Sequence, residues 1–441
     1  MNKEIVITIL LDACKYDYKK HFQFEKYGDN LKYISKVDEP FGFESGRPAL
    51  WAGINPETSN ICTIFGYKKN SPLIKLSFLQ KIAQDIKKRT LHKYPHLNLI
   101  IDHVFVKFFI KLIVPTQMRR GYIPTKNPIK NFIYLLNQRR GYTSFFDIPS
   151  HLLKYFWFYE DKIPTTMGYI KPTLFDVLRN KEMRYLYLQT PEKNFGVESK
   201  NQMDELYKTI EKINEQKYGF VCMTIGTLDG LGHSYGPNDP RIKDAVEKID
   251  KVIYDMWNSL REEYEKVTII AHGDHGMVEI TNTVDIWKKL QSLSVKMEED
   301  YIVFLDSPMA RLWFFNKKAE KEVREMLAKL DCGRILTEKD HEKYRIRFKN
   351  NKYGDLIWLA NPGTLIFPNF FGWYKPVKGM HGYAPECEDN KGLFTVITNK
   401  ELKFKNRKNT KMIDMLPTIC DMLDLPIPES NEGESIIEKQ N

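Results

Sequence analysis

The stretch "EKVTIIAHGDHGM" (265–277) decides the fold of this chain. Its first part is a run of β-branched and apolar residues, a composition that favours a buried β-strand. The run passes directly into two histidines and an aspartate, with glycines between and after them. Imidazole and carboxylate groups are common protein ligands of divalent metal ions. The stretch therefore predicts a strand with metal-binding side chains at its carboxyl end.

Three further stretches indicate strands of the same sheet. "EIVITILLDA" (4–13) ends in Asp12, "YGFVCMTIGTLDGLGH" (218–233) passes into a predicted glycine-rich loop, and "KGLFTVITN" (391–399) is a third apolar run. Between the strands, residues 239–266 repeat apolar side chains at helical spacing, which predicts a long helix. Such alternation predicts an α/β fold, with a mostly parallel central sheet and helices on both faces.

Polar side chains at the predicted strand ends form a candidate metal site, because ligands of open α/β sheets bind at the carboxyl edge. The set comprises Asp12, Asp229, His233, Asp274 and His275, together with His381 from the glycine-flanked turn "KGMHGYAP" (378–385). The set contains no cysteine, which argues against a closed structural zinc site. Its many carboxylates favour an open, catalytic site for two divalent ions.

Composition narrows the class of protein. The chain has 441 residues, 42% of them apolar, and a formal net charge of +10, which fits a globular protein with anionic partners. Its six cysteines include no CxxC pair, so the sequence indicates neither a zinc ribbon nor a redox dithiol. The N-terminal apolar run covers only residues 5–11, too short for a signal peptide core or a transmembrane span. We therefore predict a cytoplasmic protein with reduced thiols.

The motifs together resemble the alkaline phosphatase superfamily, and within it the type I phosphodiesterase / nucleotide pyrophosphatase branch. "TLDGLGHSYGP" (227–237) is similar to the D-x-x-G-H-x-x-G-P loop of that branch, and "HGDHGM" (272–277) is similar to its S-D-H-G-M. "GMHGY" (379–383) matches its G-x-H-G-Y. "LLDACKYDY" (10–18) resembles its opening strand, and "IDMLPTICDMLDLPIP" (413–428) resembles the closing helix of the superfamily.

The resemblance implies a ligand set for two metal ions, which would be Zn²⁺ or, as the alternative, Mn²⁺. By the resemblance, one ion is held by Asp229, His233 and His381, and the other by Asp12, Asp274 and His275. His272 would either orient one of the metal-binding side chains through a hydrogen bond or contact the substrate.

The nucleophile is expected in "FGFESGRPALWAGINPETSNI" (41–61), whose second half resembles the family's L-x-T-G-x-x-P-E-x-x-G-I. The usual T-x-P-N is missing there, and Ser45 is the nearby hydroxyl, so we predict Ser45 as nucleophile. Arg47 occupies the position at which sulfatases carry an arginine, and it is predicted to bind phosphoryl oxygens. In the same count back from Gly53, however, the position of the sulfatase nucleophile is occupied by Phe43. Ser45 as a helix cap and Arg47 in a structural ion pair remain the alternatives.

The chain divides into a core and two insertions. We predict a phosphohydrolase core in three parts, residues 1–84, 166–284 and 376–441. A basic, aromatic helical cap occupies residues 85–165, and a small α+β insertion occupies residues 285–375. The motifs span nearly the whole core, whereas the insertions match no family pattern.

The cap insertion allows two interpretations. "RRGY" occurs twice, at 119–122 and 139–142, each time after an apolar helical stretch, as at ordinary helix ends. The cap would then be a pair of helices with buried apolar faces. Alternatively, residues 100–160 would give the protein peripheral contact with an anionic membrane or a lipid-linked substrate. Single-stranded nucleic acid is the least favoured partner.

The predicted function follows from the resemblance. It implies a two-metal phosphoryl-transfer hydrolase that cleaves a phosphodiester or pyrophosphate bond through a phosphoserine intermediate. The aromatic insertion favours diesters, because a diester needs an apolar surface for its second group. A phosphomonoesterase at the same site is the first alternative. A transferase of a phospho-headgroup from a lipid- or glycan-linked substrate is the second.

Overall fold

The structure is a computed structural model that describes residues 2–42, 46–71, 74, 149–158, 170–188, 194–372 and 375–438. The strands in this part of the chain are β1 (Asn2–Leu11), β2 (Leu31–Asp38), β3 (Phe65–Tyr67), β4 (Phe156–Phe158), β5 (Tyr185–Leu188), β6 (Asn194–Phe195), β7 (Phe220–Ile225), β8 (Tyr264–His272), β9 (Val278–Glu279), β10 (Asn282–Val284), β11 (Tyr301–Leu305), β12 (Met309–Phe314), β13 (Gly333–Ile335), β14 (Leu356–Ala360), β15 (Thr364–Ile366), β16 (Gly379–Met380), β17 (Gly392–Thr398) and β18 (Asn409–Lys411). The α-helices are α1 (Gly46–Ala52), α2 (Pro56–Ser59), α3 (Leu174–Asn180), α4 (Lys200–Gln216), α5 (Thr227–Tyr235), α6 (Pro240–Glu263), α7 (Ile286–Gln291), α8 (Lys317–Ala328), α9 (Glu338–Lys343) and α10 (Met415–Met422).

The central sheet has the strand order β18-β2-β17-β8-β1-β7-β5, and β6 also pairs with β7. β1 lies parallel to both of its neighbours, so that Val6 is opposite Phe220 on one side and Thr268 on the other. β17 is the exception, because it runs antiparallel to β2 and β8. The predicted α/β fold with a mostly parallel sheet is confirmed.

Helices cover both faces of this sheet, as the continuous apolar strands predict. Successive side chains of a strand point to opposite faces. Accordingly, Ile5 and Ile7 of β1 belong to a core formed with α4 and α6, whereas Val6 belongs to a second core. That second core includes Trp51 of α1 and Leu416 of α10. β1 is therefore buried from both sides at the centre of the molecule.

Two predicted helices are present with altered bounds. The helix predicted at 239–266 is α6, in which Asp239 caps the N-terminus and Pro240 occupies the first turn. The closing helix predicted within 410–428 is shorter, because only Met415–Met422 is α-helical and a 3₁₀ turn precedes it. Pro417 lies in its first turn, where its missing N–H costs no hydrogen bond.

A second, antiparallel sheet has the order β11-β12-β14-β13 and lies within the range predicted for the α+β insertion. Helix α8 packs on it through Ala319, Val323 and Leu327, and the same core reaches Phe65 and Phe156 of β3 and β4. A buried ion pair in the small sheet also connects that sheet to β3. Arg311 of β12 donates to Asp306, and its guanidinium also donates to the backbone carbonyl of Phe65 at 2.6 Å.

Most of the predicted cap insertion, 85–165, lies outside the described residues, apart from 149–158. The predicted helices and the predicted membrane contact of this insertion therefore lie outside the described residues. In the described portion of the chain, no helix is both long and apolar enough to cross a bilayer. All six cysteines belong to that portion, and they are free thiols.

Candidate metal centre

The topology of the sheet brings the predicted ligands to one edge. Asp12 follows β1, Asp274 and His275 follow β8, and Asp229 and His233 lie on the helix that follows β7. Because β1, β7 and β8 are parallel neighbours, their carboxyl ends meet at this edge. His381 arrives from much later in the chain. It follows β16, which pairs with β9 just beyond the β8 loop.

The segment that carries Asp229 and His233 corrects one expectation. The glycine-rich stretch is not a loop but helix α5, so the two residues share a face at i and i+4 spacing. The Nε2 atom of His233 lies 3.1 Å from Oδ1 of Asp229. Gly232 allows close packing here, because a Cβ at that position would lie 2.8 Å from Cε of Met277.

The first ligand group consists of Asp12, Asp274 and His275. Nε2 of His275 lies 3.6 Å from Oδ1 of Asp12 and 3.7 Å from Oδ2 of Asp274. The other carboxylate oxygen of Asp274 accepts hydrogen bonds from the backbone N–H groups of Ala13 and His275, at 3.2 and 3.0 Å. These bonds fix the Asp274 carboxylate with Oδ2 turned toward the histidine.

The second group is built around Asp229. Its Oδ1 lies 3.1 Å from Nε2 of His233 and 3.8 Å from Nε2 of His381. The ring of His381 stacks on that of His275, with the centroids 3.6 Å apart and the planes 7° apart. Asp229, His275 and His381 thus form a further close set of possible ligand atoms, all within 4.8 Å of one another. His275 therefore lies between the two groups.

The donor set fits two divalent ions. In a tetrahedral site with metal–ligand distances of about 2.0–2.2 Å, neighbouring ligand atoms lie roughly 3.3–3.6 Å apart. The pairs described above are 3.1–3.8 Å apart. Nδ1 of His275 and Nδ1 of His233 are each 2.8 Å from a backbone carbonyl, of Gly276 and Gly379 respectively. These two contacts fix the tautomers of both histidine rings and leave Nε2 of each ring as the atom that faces the metal.

The pKa shifts of Asp229 and His275 also indicate a site that favours bound cations. Burial raises the pKa of Asp229, but His233, His381 and His275 outweigh this effect and hold the pKa below its ordinary value. Burial lowers the pKa of His275, yet Asp274, Glu39 and Asp229 raise it above the ordinary value. The carboxylates therefore create a place that favours positive charge. Bound metal ions would replace the protons that His233 and His275 otherwise carry. Burial and the neighbouring His275 instead hold the pKa of His381 well below its ordinary value.

A cavity of about 430 Å³ opens onto the centre. All six predicted ligands line it: Asp12, Asp229, His233, Asp274, His275 and His381. Its apolar lining includes a group of side chains called the apolar wall, namely Ile64, Leu365, Phe367, Phe371, Val377 and Met380. Arg47 and Lys375 also line the cavity and add positive charge. The cavity can therefore place an anion beside the ligand groups and an apolar group against the wall.

The predicted nucleophile, Ser45, lies outside the described residues, so its role stays a prediction. Arg47, the second residue of α1, is described and lines the cavity, in the region where the prediction places it. Its predicted contact with phosphoryl oxygens likewise stays a prediction.

Glu39 is a cavity residue that the sequence analysis missed. It follows β2, a strand whose carboxyl end lies at the same edge as those of β1 and β8, and its side chain is largely buried. Asn390 holds it, since Nδ2 donates to Oε2 of Glu39 at 3.4 Å while Oδ1 accepts from the N–H of Gly382. A signal existed, because "LKYISKVDE" (31–39) has strand-like alternation that ends in carboxylates.

His272 is fully buried and does not line the cavity. Burial lowers its pKa to about 4, although the nearby Asp274 works against this shift. The imidazole is therefore neutral at pH 7. Of the two roles predicted for it, this position favours support of the ligand loop from behind.

Comparisons with known proteins agree on one family. The family model described as type I phosphodiesterase / nucleotide pyrophosphatase matches residues 137–384, more than half of the chain. The chain is 19% identical over 223 residues to ectonucleotide pyrophosphatase/phosphodiesterase family member 7 of Mus musculus, covering 50% of each protein. It is 22% identical over 257 residues to an uncharacterized pyrophosphatase/phosphodiesterase of Schizosaccharomyces pombe, covering 54% of this chain and 52% of that protein. The chain thus spans about half the length of the curated relatives it matches.

Solved structures show the same fold over the full length. Murine ectonucleotide pyrophosphatase / phosphodiesterase 5 aligns with a TM-score of 0.63 at 13% identity, covering 99% of this chain and 100% of that one. The human counterpart aligns with a TM-score of 0.61 at 14% identity, with the same coverage. At such identity the likeness establishes the fold, whereas the chemistry depends on the residues of the site.

Proposed function

Because the chain belongs to the type I phosphodiesterase / nucleotide pyrophosphatase family, a branch of the alkaline phosphatase superfamily, we propose that it is a metal-dependent hydrolase of phosphodiester or pyrophosphate bonds. One observation carries the proposal. Two carboxylate–imidazole groups meet at one sheet edge and line a single cavity whose lining also contains apolar side chains. This arrangement suits a phosphate that carries an organic group.

The residues of the two groups would hold the metal ions. When bound, two divalent ions supply positive charge that stabilises the attacking and leaving oxygens of a displacement at phosphorus. The mixture of carboxylates and imidazoles suits Zn²⁺, with Mn²⁺ as the alternative. The chain itself contributes orientation, because backbone groups fix the Asp274 carboxylate and the rings of His233 and His275.

Ser45 is the proposed nucleophile. Its oxygen forms a bond to phosphorus while the bond from phosphorus to the leaving oxygen breaks, and the serine proton passes to solvent or to the leaving group. Water then hydrolyses the phosphoserine and restores the serine. Arg47 lines the cavity and can donate two hydrogen bonds to non-bridging phosphoryl oxygens during both steps.

The cavity favours a diester or pyrophosphate over a simple monoester, because its apolar wall offers a surface for a second group. A phosphomonoesterase is the competing proposal, and the positive charges of Arg47 and Lys375 at the cavity are what favour it. The substrate is a phosphorylated small molecule or a lipid- or glycan-linked phosphate, for which transfer of a phospho-headgroup is a variant of the same chemistry. Activity in the cytoplasm, with peripheral membrane contact through residues 100–160, completes the proposal.

The test compares metal-loaded protein on bis-p-nitrophenyl phosphate and p-nitrophenyl phosphate, with zinc or manganese added. We expect the diester to be cleaved faster. The variant Asp274→Asn should lose bound metal, measured by mass spectrometry of the element, and activity together. The matched control Asp244→Asn changes an exposed aspartate on α6 and should leave both unchanged. Faster cleavage of the monoester would support the competing proposal, and full activity of Asp274→Asn would refute its ligand role.

A further inference from the structure

We infer that Asn390 is a positioning residue that holds the turn of His381 in place beside the turn of His275 and thereby sets the spacing between the two ligand groups. The inference rests on the proposed function, since that function needs two metal ions side by side. It assigns a role to a residue that lies between two motifs of the sequence, 378–385 and 391–399.

Asn390 contacts both ligand turns. Its backbone carbonyl accepts a hydrogen bond from the N–H of Gly276, the residue after His275, at 2.8 Å. Its side-chain Oδ1 accepts from the N–H of Gly382, the residue after His381, at 3.0 Å. The two turns come from distant parts of the chain, and a single buried residue therefore joins them.

Both contacts are made at glycines. Gly276 lies so close to the segment 388–390 that a Cβ there would be 2.2 Å from the backbone oxygen of Asp389. Gly382 has a φ of 81°, a left-handed conformation that residues with a Cβ rarely adopt. Each turn thus meets Asn390 through a backbone N–H next to a predicted ligand, so the position of that N–H limits where the ligand can lie.

Asn390 is itself held by the central sheet. It ends the 3₁₀ turn Glu388–Asn390, in which its N–H donates to the carbonyl of Cys387 at 3.0 Å. Two residues later β17 begins, and β17 pairs with β8, the strand that precedes Asp274 and His275. The residue is therefore fixed relative to the first ligand group before it contacts the second.

The contacts of the side chain require an amide. The N–H of Gly382 donates and the carboxylate of Glu39 accepts, so Asn390 has to offer an oxygen to the first and an N–H to the second. Its Nδ2 lies 3.4 Å from Oε2 of Glu39, which lines the cavity. Leucine has a similar shape but can make neither contact, whereas aspartate keeps the acceptor oxygen. These two substitutions separate the hydrogen bond to Gly382 from the volume of the side chain.

Substitution of the side chain should affect the two ligand groups unequally. The contact of Gly276 with the Asn390 carbonyl remains in any variant, so the turn of His275 keeps its place. The turn of His381 loses its hydrogen bond and can move. Because the rings of His275 and His381 stack with centroids 3.6 Å apart, this movement changes the distance between the groups. The first group should therefore be retained, and the group around Asp229 should be weakened.

Calorimetric titration of the full chain with Mn²⁺, after removal of metal by a chelator, tests the inference. The wild type should bind two ions. In Asn390→Leu one ion should bind as in the wild type and the other about 10–100-fold more weakly, the usual cost of losing a contact behind a metal ligand. Asn390→Ala should behave in the same way, which keeps the test valid if the leucine variant does not fold. Asn390→Asp should restore most of the affinity, because it keeps an acceptor for the N–H of Gly382.

The electron paramagnetic resonance spectrum at saturating Mn²⁺ reports the spacing. Two neighbouring Mn²⁺ ions couple magnetically, and the coupling depends on the distance between them. The wild type and Asn390→Asp should give the same coupled spectrum, and Asn390→Leu should give a changed one.

Asn399 provides the matched control. It follows the other end of β17, and its amide also holds backbone groups: Oδ1 accepts from the N–H of Val267 at 2.8 Å, and Nδ2 donates to the carbonyl of Glu265 at 2.9 Å. Asn399→Leu should lower the free energy of unfolding in urea but leave both Mn²⁺ affinities and the magnetic coupling unchanged.

Wild-type affinities and coupling in Asn390→Leu would overturn the inference, and so would an equal loss of affinity at both sites. Failure of Asn390→Asp to restore binding would also overturn it, because the hydrogen bond to Gly382 would then not be the contact that matters. Hydrolysis of bis-p-nitrophenyl phosphate by the Mn²⁺-loaded wild type separates the two levels. Hydrolysis together with unchanged coupling in Asn390→Leu refutes only the positioning role, whereas a wild type that binds two ions without hydrolysis refutes the proposed function.

Discussion

Replacing Arg311 by methionine removes the charge that joins the small sheet to the rest of the molecule. Arg311 and Asp306 are both fully buried, and Nε of Arg311 lies 2.6 Å from Oδ2 of Asp306. Methionine fills similar space but leaves the Asp306 carboxylate without its cation and the Phe65 carbonyl without its donor. Breaking a buried pair costs about 3–5 kcal/mol, and the lost hydrogen bond adds about 1 kcal/mol. We therefore expect a loss of about 4–6 kcal/mol, a large part of the stability of a typical domain.

Urea unfolding at pH 7, followed by circular dichroism, measures the loss. The double variant Asp306→Leu/Arg311→Met removes both charges and should regain most of the stability. The control Arg334→Met breaks the pair between Arg334 and Asp340, whose arginine is 46% exposed, and should cost less than about 1 kcal/mol.

The pH dependence gives a second check. Burial already raises the pKa of Asp306 above its ordinary value, against the opposing effect of Arg311. Without Arg311 the pKa rises further, so the carboxyl takes up a proton more readily in the folded state than in the unfolded state. The deficit of Arg311→Met should therefore shrink as pH falls from 7 to 5. A deficit no larger than that of Arg334→Met, or a double variant as unstable as the single one, would refute the reasoning.

Ser45→Ala should abolish covalent labelling by phosphate-type inhibitors, and a labelled variant in mass spectrometry would place the nucleophile elsewhere. Gly276→Ala should distort the ligand loop and weaken zinc binding in a calorimetric titration, because a Cβ there would lie 2.2 Å from the backbone oxygen of Asp389; unchanged affinity would contradict this. Burial raises the pKa of Cys62 and Cys420 to about 12, whereas their thiols in the unfolded chain ionise near pH 9. Stability should therefore fall by about 1.4 kcal/mol per thiol between neutral pH and pH 10, and a constant urea midpoint over that range would argue against it.

The parts of the site that the sequence predicts are those that follow directly from strand ends. Continuous apolar runs identify β1, β7 and β8 as buried strands, and the residues after them must then share an edge. Asp12, Asp274 and Asp229 could be assigned to one place on this basis. His381 was assigned from its glycine-flanked turn and not from a strand end, because its segment has only a two-residue strand.

The parts that the sequence does not predict depend on packing between distant segments. Two glycines in α5 made that helix resemble a loop, since glycine disfavours helices, and the contact of Gly232 with Met277 is not visible locally. Glu39 follows a strand that alternates between buried and exposed residues, so its carboxylate resembled part of a surface turn. The position of His275 between both ligand groups depends on its stacking with His381, which is far away in the sequence.

The order of the central sheet has a consequence for biosynthesis. β17 lies between β2 and β8, although it follows both of them in the chain. On the ribosome, a nascent chain that has released β8 but not β17 exposes two unpaired strand edges, the kind of surface that aggregates. His381 also emerges late, so the complete ligand set does not exist during most of translation. Completion of the ligand set is thus a late event in synthesis, and it comes at about the same point of the chain as closure of the central sheet by β17.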